Sequence, residues 1–210
     1  LTLAQTERLD YTQIWVELTG NVSSDAIKRA EKFLSDWPSS DYFPEVSMIL
    51  ATEYYRRKNL KSAAKYFSIV AEVFPNNRYA ESARFFKAKC SPVNDNTIRQ
   101  WRSIVEAGGS LSITAELELG HLFLSADRFV EAKTEFQNIL ERSDLEGDLT
   151  YATMADLAFS RYLEALANGR NPEMLEDAAN QFAAVSRIEA AKPSLRFNAA
   201  VRRGKCLEAL

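Results

Sequence analysis

The sequence predicts an all-α fold built of stacked antiparallel helix pairs, and three observations carry that expectation. First, residues 44–77 place Leu50, Tyr54, Ala63, Phe67 and Pro75 at the spacings of a helix–turn–helix repeat of about 34 residues. The pattern returns as Leu119-Gly120, Phe123, Ala132 and Phe136, with Tyr54, Ala63 and Phe67 each 69 residues before their counterparts, two repeat lengths. Second, the 210 residues are 46% hydrophobic but hold only 7 Gly and 6 Pro, leaving enough apolar mass for a core and little room for long loops. Third, strong helix formers abound, whereas alternating β-branched runs, the mark of sheet, are missing.

The elements follow in order. Residues 2–18 carry Leu3, Leu9, Ile14, Trp15 and Leu18 at loosely helical spacing, and Gly20-Asn21 is expected to end that helix with a left-handed cap. Ser23-Ser24-Asp25 offers N-caps to a helix carrying Ala26, Ala30, Phe33 and Leu34, stopped by Trp37-Pro38. The clearest pair has helices at 44–57 (Val46, Ile49, Leu50, Tyr54) and 60–74 (Leu60, Ala63, Phe67, Val70, Val73). A helix at 78–90 carries Tyr79, Ala83, Phe86 and Cys90, and a short one at 97–107 carries Ile98, Trp101, Ile104 and Val105. Gly108-Gly109-Ser110 separates these from the second clear pair, 111–125 and 128–142. An acidic loop at 143–150 leads to helices at 150–167 and 172–189, parted by Asn168-Gly169-Arg170-Asn171, and Pro193 opens a last helix with Phe197, Ala200, Val201 and Leu207.

Each pair leaves an apolar stripe that it cannot bury alone, and stacking the pairs buries it. Ala63, Ala132 and Ala178 fall where the second helix of a pair crosses the first, so a large side chain there would push the helices apart.

These residues resemble the tetratricopeptide repeat (TPR) family. The match at 44–77 spans a whole repeat, with Ser47 where the family has Trp and Ala51 where it has Gly. The match at 113–146 keeps Gly120 and lacks the closing Pro. Segments 80–110 and 152–193 are degenerate repeats, and 1–38 and 197–210 look like partial ones, the last with Gly204 and Leu207. The resemblance implies a single right-handed α-α superhelix over 1–210, expected to be part of a longer protein. The joints Trp37-Pro38-Ser39-Ser40-Asp41-Tyr42 and Phe74-Pro75-Asn76-Asn77-Arg78-Tyr79 are similar to those of bacterial cell-envelope members, of the outer-membrane assembly lipoprotein and Tol-associated types. That implies the periplasm or cell envelope, with the cytoplasm as the alternative.

In such repeats the first helices line a concave groove. Carried over by position, the groove presents Met48, Thr52, Tyr55, Arg56, Arg84, Leu117, His121, Leu124, Asp156 and Ser160. Met48, Tyr55, Leu117 and Leu124 are the expected apolar contacts, and Arg56 and Arg84 the expected partners of acidic groups. Thr52 stands where chaperone-binding members have a clamp Asn, so that activity is not implied.

Other chemistry finds little footing. The only histidine, His121, has no nucleophile motif beside it. Glu116/Glu118 and Glu176/Asp177 are helix neighbours that do not face each other, so they read as solvated surface. Neither an enzyme, a cofactor nor a metal site is expected. Cys90 and Cys206 lack metal spacing and read as buried free thiols. No apolar stretch is long enough for a transmembrane helix. The net charge of −3 gives no bias toward nucleic acid, and Arg56-Arg57-Lys58 reads as a cationic helix C-terminus. Charge is uneven nonetheless: residues 44–105 hold 11 basic and 5 acidic groups, residues 106–190 hold 6 and 16. The expected function is therefore a non-catalytic scaffold or adaptor binding a protein or peptide. The alternative is a structural segment that associates with copies of itself through its oppositely charged halves.

Overall fold

The computed structural model describes residues 2–20, 23–142 and 145–210, and among them every regular element is helical. Eleven α-helices are described: α1 (Leu3–Thr19), α2 (Ser24–Asp36), α3 (Phe43–Arg56), α4 (Leu60–Val73), α5 (Ala80–Lys89), α6 (Asp95–Glu106), α7 (Ser112–Ser125), α8 (Phe129–Leu140), α9 (Gly147–Ala167), α10 (Pro172–Arg187) and α11 (Pro193–Ala209). They form two compact units, Leu1–Gln100 and Trp101–Leu210.

In the first unit the core is one cluster. Ile14 and Leu18 of α1, Ala30 and Phe33 of α2, Val46 and Leu50 of α3, and Ala63, Phe67 and Val70 of α4 meet in it. Phe67 stacks on Phe86 of α5 with ring centroids 5.5 Å apart. A polar tie runs beside this core. The hydroxyls of Tyr54 and Tyr66 both donate to Glu31 Oε1, at 2.7 and 3.1 Å, joining α3 and α4 to α2. Burial, helped by the Glu31 carboxylate, pushes the Tyr54 phenol up to about 12.

In the second unit α7 and α8 enclose Ala115, Leu119, Phe123, Ala132, Phe136 and Ile139. α9, α10 and α11 enclose Ala155, Ala158, Ala178, Phe182, Val185, Ala199 and Cys206. The crossing alanines Ala63, Ala132 and Ala178 are all fully buried, as the repeat register requires.

The turns inside the pairs share one device. Lys58, Asp127 and Arg170 each have positive φ (61°, 56° and 59°) and each precedes the N-cap of the second helix. The left-handed residue lets the next N–H fold back on the first helix. Asn59 N donates to Tyr54 O at 2.9 Å and Arg128 N to Phe123 O at 2.9 Å.

Several expectations are corrected. The cap of α1 is not left-handed at Gly20, where φ is −99°, and Asn21 lies outside the described residues. α6 starts at Asp95, two residues early, because Asn94 accepts from Thr97 N at 3.0 Å. α9 starts at Gly147, taking in part of the expected acidic loop, of which Ser143 and Asp144 lie outside the described residues. Val73, expected to face inward, is 65% exposed, and Leu60, Leu3, Leu9 and Trp15 are exposed as well. Cys206 is a buried free thiol, whereas Cys90 is only half-buried at the end of α5, with burial pushing its thiol up to about 11.

Candidate functional site

Spacing of four along α3 puts Met48, Thr52 and Arg56 on one face. That face borders an open groove of about 570 Å³, lined as well by Leu18 and Gly20 at the end of α1 and by Tyr79. Met48 and Ile49 also pack on the core, so the floor of the groove is apolar and supported from behind. Thr52 is exposed, and its hydroxyl donates to Met48 O at 2.8 Å, which leaves its methyl for the groove.

The polar rim holds a residue that the repeat register did not single out. Glu53 is buried, and Arg56 grips both its oxygens, Nε and Nη2 each at 2.8 Å, while Arg57 binds it from the next position. The bond to Arg56 comes first in holding the Glu53 carboxyl below its ordinary value. Arg56 is thus engaged within the chain rather than a free cation awaiting an acidic ligand. The spacing i, i+3 and i+4 from Glu53 to Arg56 and Arg57 was the signal for this cluster.

Other expected groove residues sit differently. Tyr55 is half-buried and meets Phe86 edge-on at 5.6 Å, so it serves the core as well as the surface. Arg84 donates from Nη2 to Pro75 O at 3.1 Å, securing the turn before α5.

In the second unit, Leu117 and Leu124 of α7 are half-buried and His121 between them is exposed. His121 and Asp156 are brought together: Nε2 lies 2.9 Å from Asp156 Oδ2, joining α7 to α9. The His121 ring also leans on Phe136 at 5.6 Å. Ser160 is a correction. It is fully buried, its hydroxyl donates to Leu157 O at 2.7 Å, and no ligand on the surface can reach it.

Glu116 is a second correction, because it is buried rather than solvated. Desolvation, then the nearby Glu135 of α8, push its carboxyl above the ordinary value. Arg142 stands 3.7 Å from Glu116, and Arg102 Nη2 donates to Glu135 Oε1 at 3.0 Å. Glu116 and Glu118 do not face each other, as expected; the facing carboxylate comes from another helix. Among the described residues, no group of three His, Cys, Asp or Glu is placed to hold a metal ion. No helix among them is long and apolar enough to cross a membrane.

No family model and no curated protein sequence matches the chain. Solved structures do. A crystal structure of nearly identical TPR-like repeats, from a kinesin light chain candidate of Podosopora anserina, matches with a TM-score of 0.61 and 12% identity. The match covers 88% of this chain and 97% of that one. A single-substitution variant of the same repeats matches with a TM-score of 0.59 and 11% identity, over 89% and 99% of the two chains. At such identities the likeness speaks for the fold, and the fold is that of a TPR-like helical repeat.

Proposed function

We propose that the protein is a non-catalytic scaffold of the TPR family that binds a peptide or helix of a protein partner. The observation that carries this reading is the groove on α3. An apolar floor of Leu18, Met48 and Ile49 lies beside a fixed Glu53–Arg56 pair, in a volume suited to a few side chains of an extended or helical ligand. The floor supplies apolar anchoring, and the ion pair offers the outer edges of a carboxylate and a guanidinium to polar groups of the ligand. Leu117 and Leu124, with the His121–Asp156 pair, are the proposed contacts in the second unit.

The test is selection of displayed peptides on the whole chain, followed by titration of a selected peptide against variants. Thr52→Arg fills the groove from an exposed position and should weaken binding about tenfold or more without lowering the melting temperature. Selected peptides that bind Thr52→Arg as well as the parent chain would overturn the groove reading.

The finer role belongs to the same proposal. The joints after α2 and α4 support a place in bacterial cell-envelope assembly, in the periplasm, with 1–210 forming one array of repeats. Fractionation of cells that express the full gene tests the location: recovery with cytoplasmic markers alone would refute it.

A further inference from the structure

The two joints inside the first unit place a tyrosine at the same point. Tyr42 stands at the N-cap of α3 and Tyr79 at the N-cap of α5. A side chain two residues earlier fixes each of them. Tyr42 N donates to Ser40 Oγ at 3.1 Å, and Tyr79 N donates to Asn77 Oδ1 at 3.0 Å. Before α7 the same place holds Leu111.

A third ring joins them from α1. Tyr11 stacks on Tyr42 with centroids 4.0 Å apart and planes within 10°. The Tyr11 hydroxyl bonds to the Glu45 carboxylate. Burial first, then Glu45, raise the Tyr11 phenol above its ordinary value, and Tyr79 and Tyr42 stand near enough to add to the effect. Tyr79 connects this aromatic group to the α3 groove, which it lines together with Met48 and Thr52. Arg78 holds the Tyr79 ring: its guanidinium lies 4.6 Å from the centroid, and its Nη2 donates to the Tyr79 hydroxyl and lies 3.6 Å from Glu45 Oε2. The Tyr79 oxygen thus accepts from Arg78 and keeps its own proton to donate. All three rings are half-buried, so each retains surface for a ligand.

The other end of α3 has different chemistry. Glu53 stands there with Arg56 and Arg57, and Lys58 follows. The Arg56 side chain is 68% exposed even while it holds Glu53, and Lys58 is exposed. Cations remain in excess when Glu31, which takes the Tyr54 and Tyr66 hydroxyls, is counted as well. Along α3 the surface therefore passes from phenols, over the apolar floor of Leu18, Met48 and Ile49, to a positively charged end.

These zones select a backbone as well as side chains. A helix spends its carbonyls on its own hydrogen bonds and has none to offer to Tyr79 or Arg78. A polyproline II segment has no internal hydrogen bonds, so its carbonyls are open to both donors, and such segments dock on aromatic-lined grooves at low entropic cost. The excess of cations complements an acidic group on the same segment.

We propose that the α3 groove takes an extended, proline-containing segment of a partner protein, with acidic residues at one end. The prolines pack on the rings of Tyr79 and Tyr42, one backbone carbonyl accepts from the Tyr79 hydroxyl, and an aliphatic side chain enters over Met48. The acidic end lies toward Arg56 and Lys58. This inference rests on the reading of the α3 groove as the binding site and adds the class of ligand.

The probe is a short fluorescent peptide with prolines on both sides of a leucine and a pair of glutamates at one end, made in both chain directions. Anisotropy titration against the whole chain should show saturable binding for one direction. Replacing the prolines with alanine should weaken it about tenfold or more, as loss of the central anchors does. Glutamine in place of the glutamates should weaken it and reduce its dependence on salt. Tyr79→Phe keeps the ring and removes the donor, so it should weaken binding about fivefold with the melting temperature kept. Absence of binding in both directions, or binding indifferent to the prolines and to Tyr79→Phe, would overturn the proposal. If displayed peptides of another kind then bind and are blocked by Thr52→Arg, the groove reading stands and the ligand class alone fails. If nothing binds in a manner sensitive to Thr52→Arg, both fail. A dimer seen by light scattering that Thr52→Arg dissolves would place a second copy in the groove and overturn the proposal too.

Discussion

Gly120 shows how far a single side chain is set by its neighbour across the pair. Its missing Cβ is the space that the Phe136 ring uses. Gly120→Ala should therefore destabilise the chain by about 1–3 kcal/mol through overpacking, despite the better helix propensity of alanine. A urea midpoint equal to or above that of the parent would show that the Phe136 ring can move aside. The equivalent residue in the first pair is Ala51, fully buried in the same core cluster as Phe67, so the register requires smallness there rather than glycine. Glu53 makes the opposite point. Its spacing to Arg56 and Arg57 was readable, but its burial was not, because burial depends on what α3 is packed against. Ser160 was misread for the same reason: repeat register gives a position on a helix and leaves open whether another side chain covers it.

At the scale of the helices, periodicity was a sound guide to faces and a weaker one to ends. Ala63, Ala132 and Ala178 sit at the crossings, all fully buried. Ala132→Glu should cost about 3 kcal/mol or more, from overpacking and from burial of a charge without a partner. Equilibrium urea unfolding measures it, and an unchanged midpoint would contradict the register of α7 on α8. Several departures from the periodic pattern fall at helix termini. Val73 continues the apolar stripe of α4 but stands in its last turn, exposed, because a stripe in sequence does not say how far the facing helix reaches. The early starts of α6 and α9 have local causes. Asn94 supplies a cap for α6, and an acidic residue, Asp148, stands in the first turn of α9, where it favours the helix dipole.

For the molecule as a whole, buried carboxylates govern the response to acid, and they oppose one another. Glu116 and Glu135 have raised values in the fold, chiefly through desolvation. A raised carboxyl favours the folded state when protonated, so its contribution is full below the unfolded value and is lost as pH rises through the folded one. Glu53 is lowered, and its contribution is present above the unfolded value and lost as pH falls through the folded one. Mild acidification from neutrality should thus stabilise the parent chain relative to Glu135→Gln, and stronger acid should destabilise it through Glu53. Urea midpoints of both chains across this range check the sign. A gap between them that does not change with pH would mean that Glu135 holds its proton no more tightly in the fold than in the unfolded chain. The uneven charge along the sequence was visible from composition, yet composition could not show that some acids of the acidic stretch lie inside, next to Arg102 and Arg142.

The sequence by itself determined that this protein is helical, that its helices pair, and which small and aromatic residues meet at the crossings. Those properties rest on local spacing, 3.6 residues per turn within a helix and about 34 per repeat, which a linear string records directly. Only the tertiary structure decided that Glu53, Glu116 and Glu135 are buried and that Ser160 is inaccessible. Each of these depends on which atoms of distant residues come to stand beside a side chain, and it is that surrounding, not position within a repeat, that sets solvation and contact.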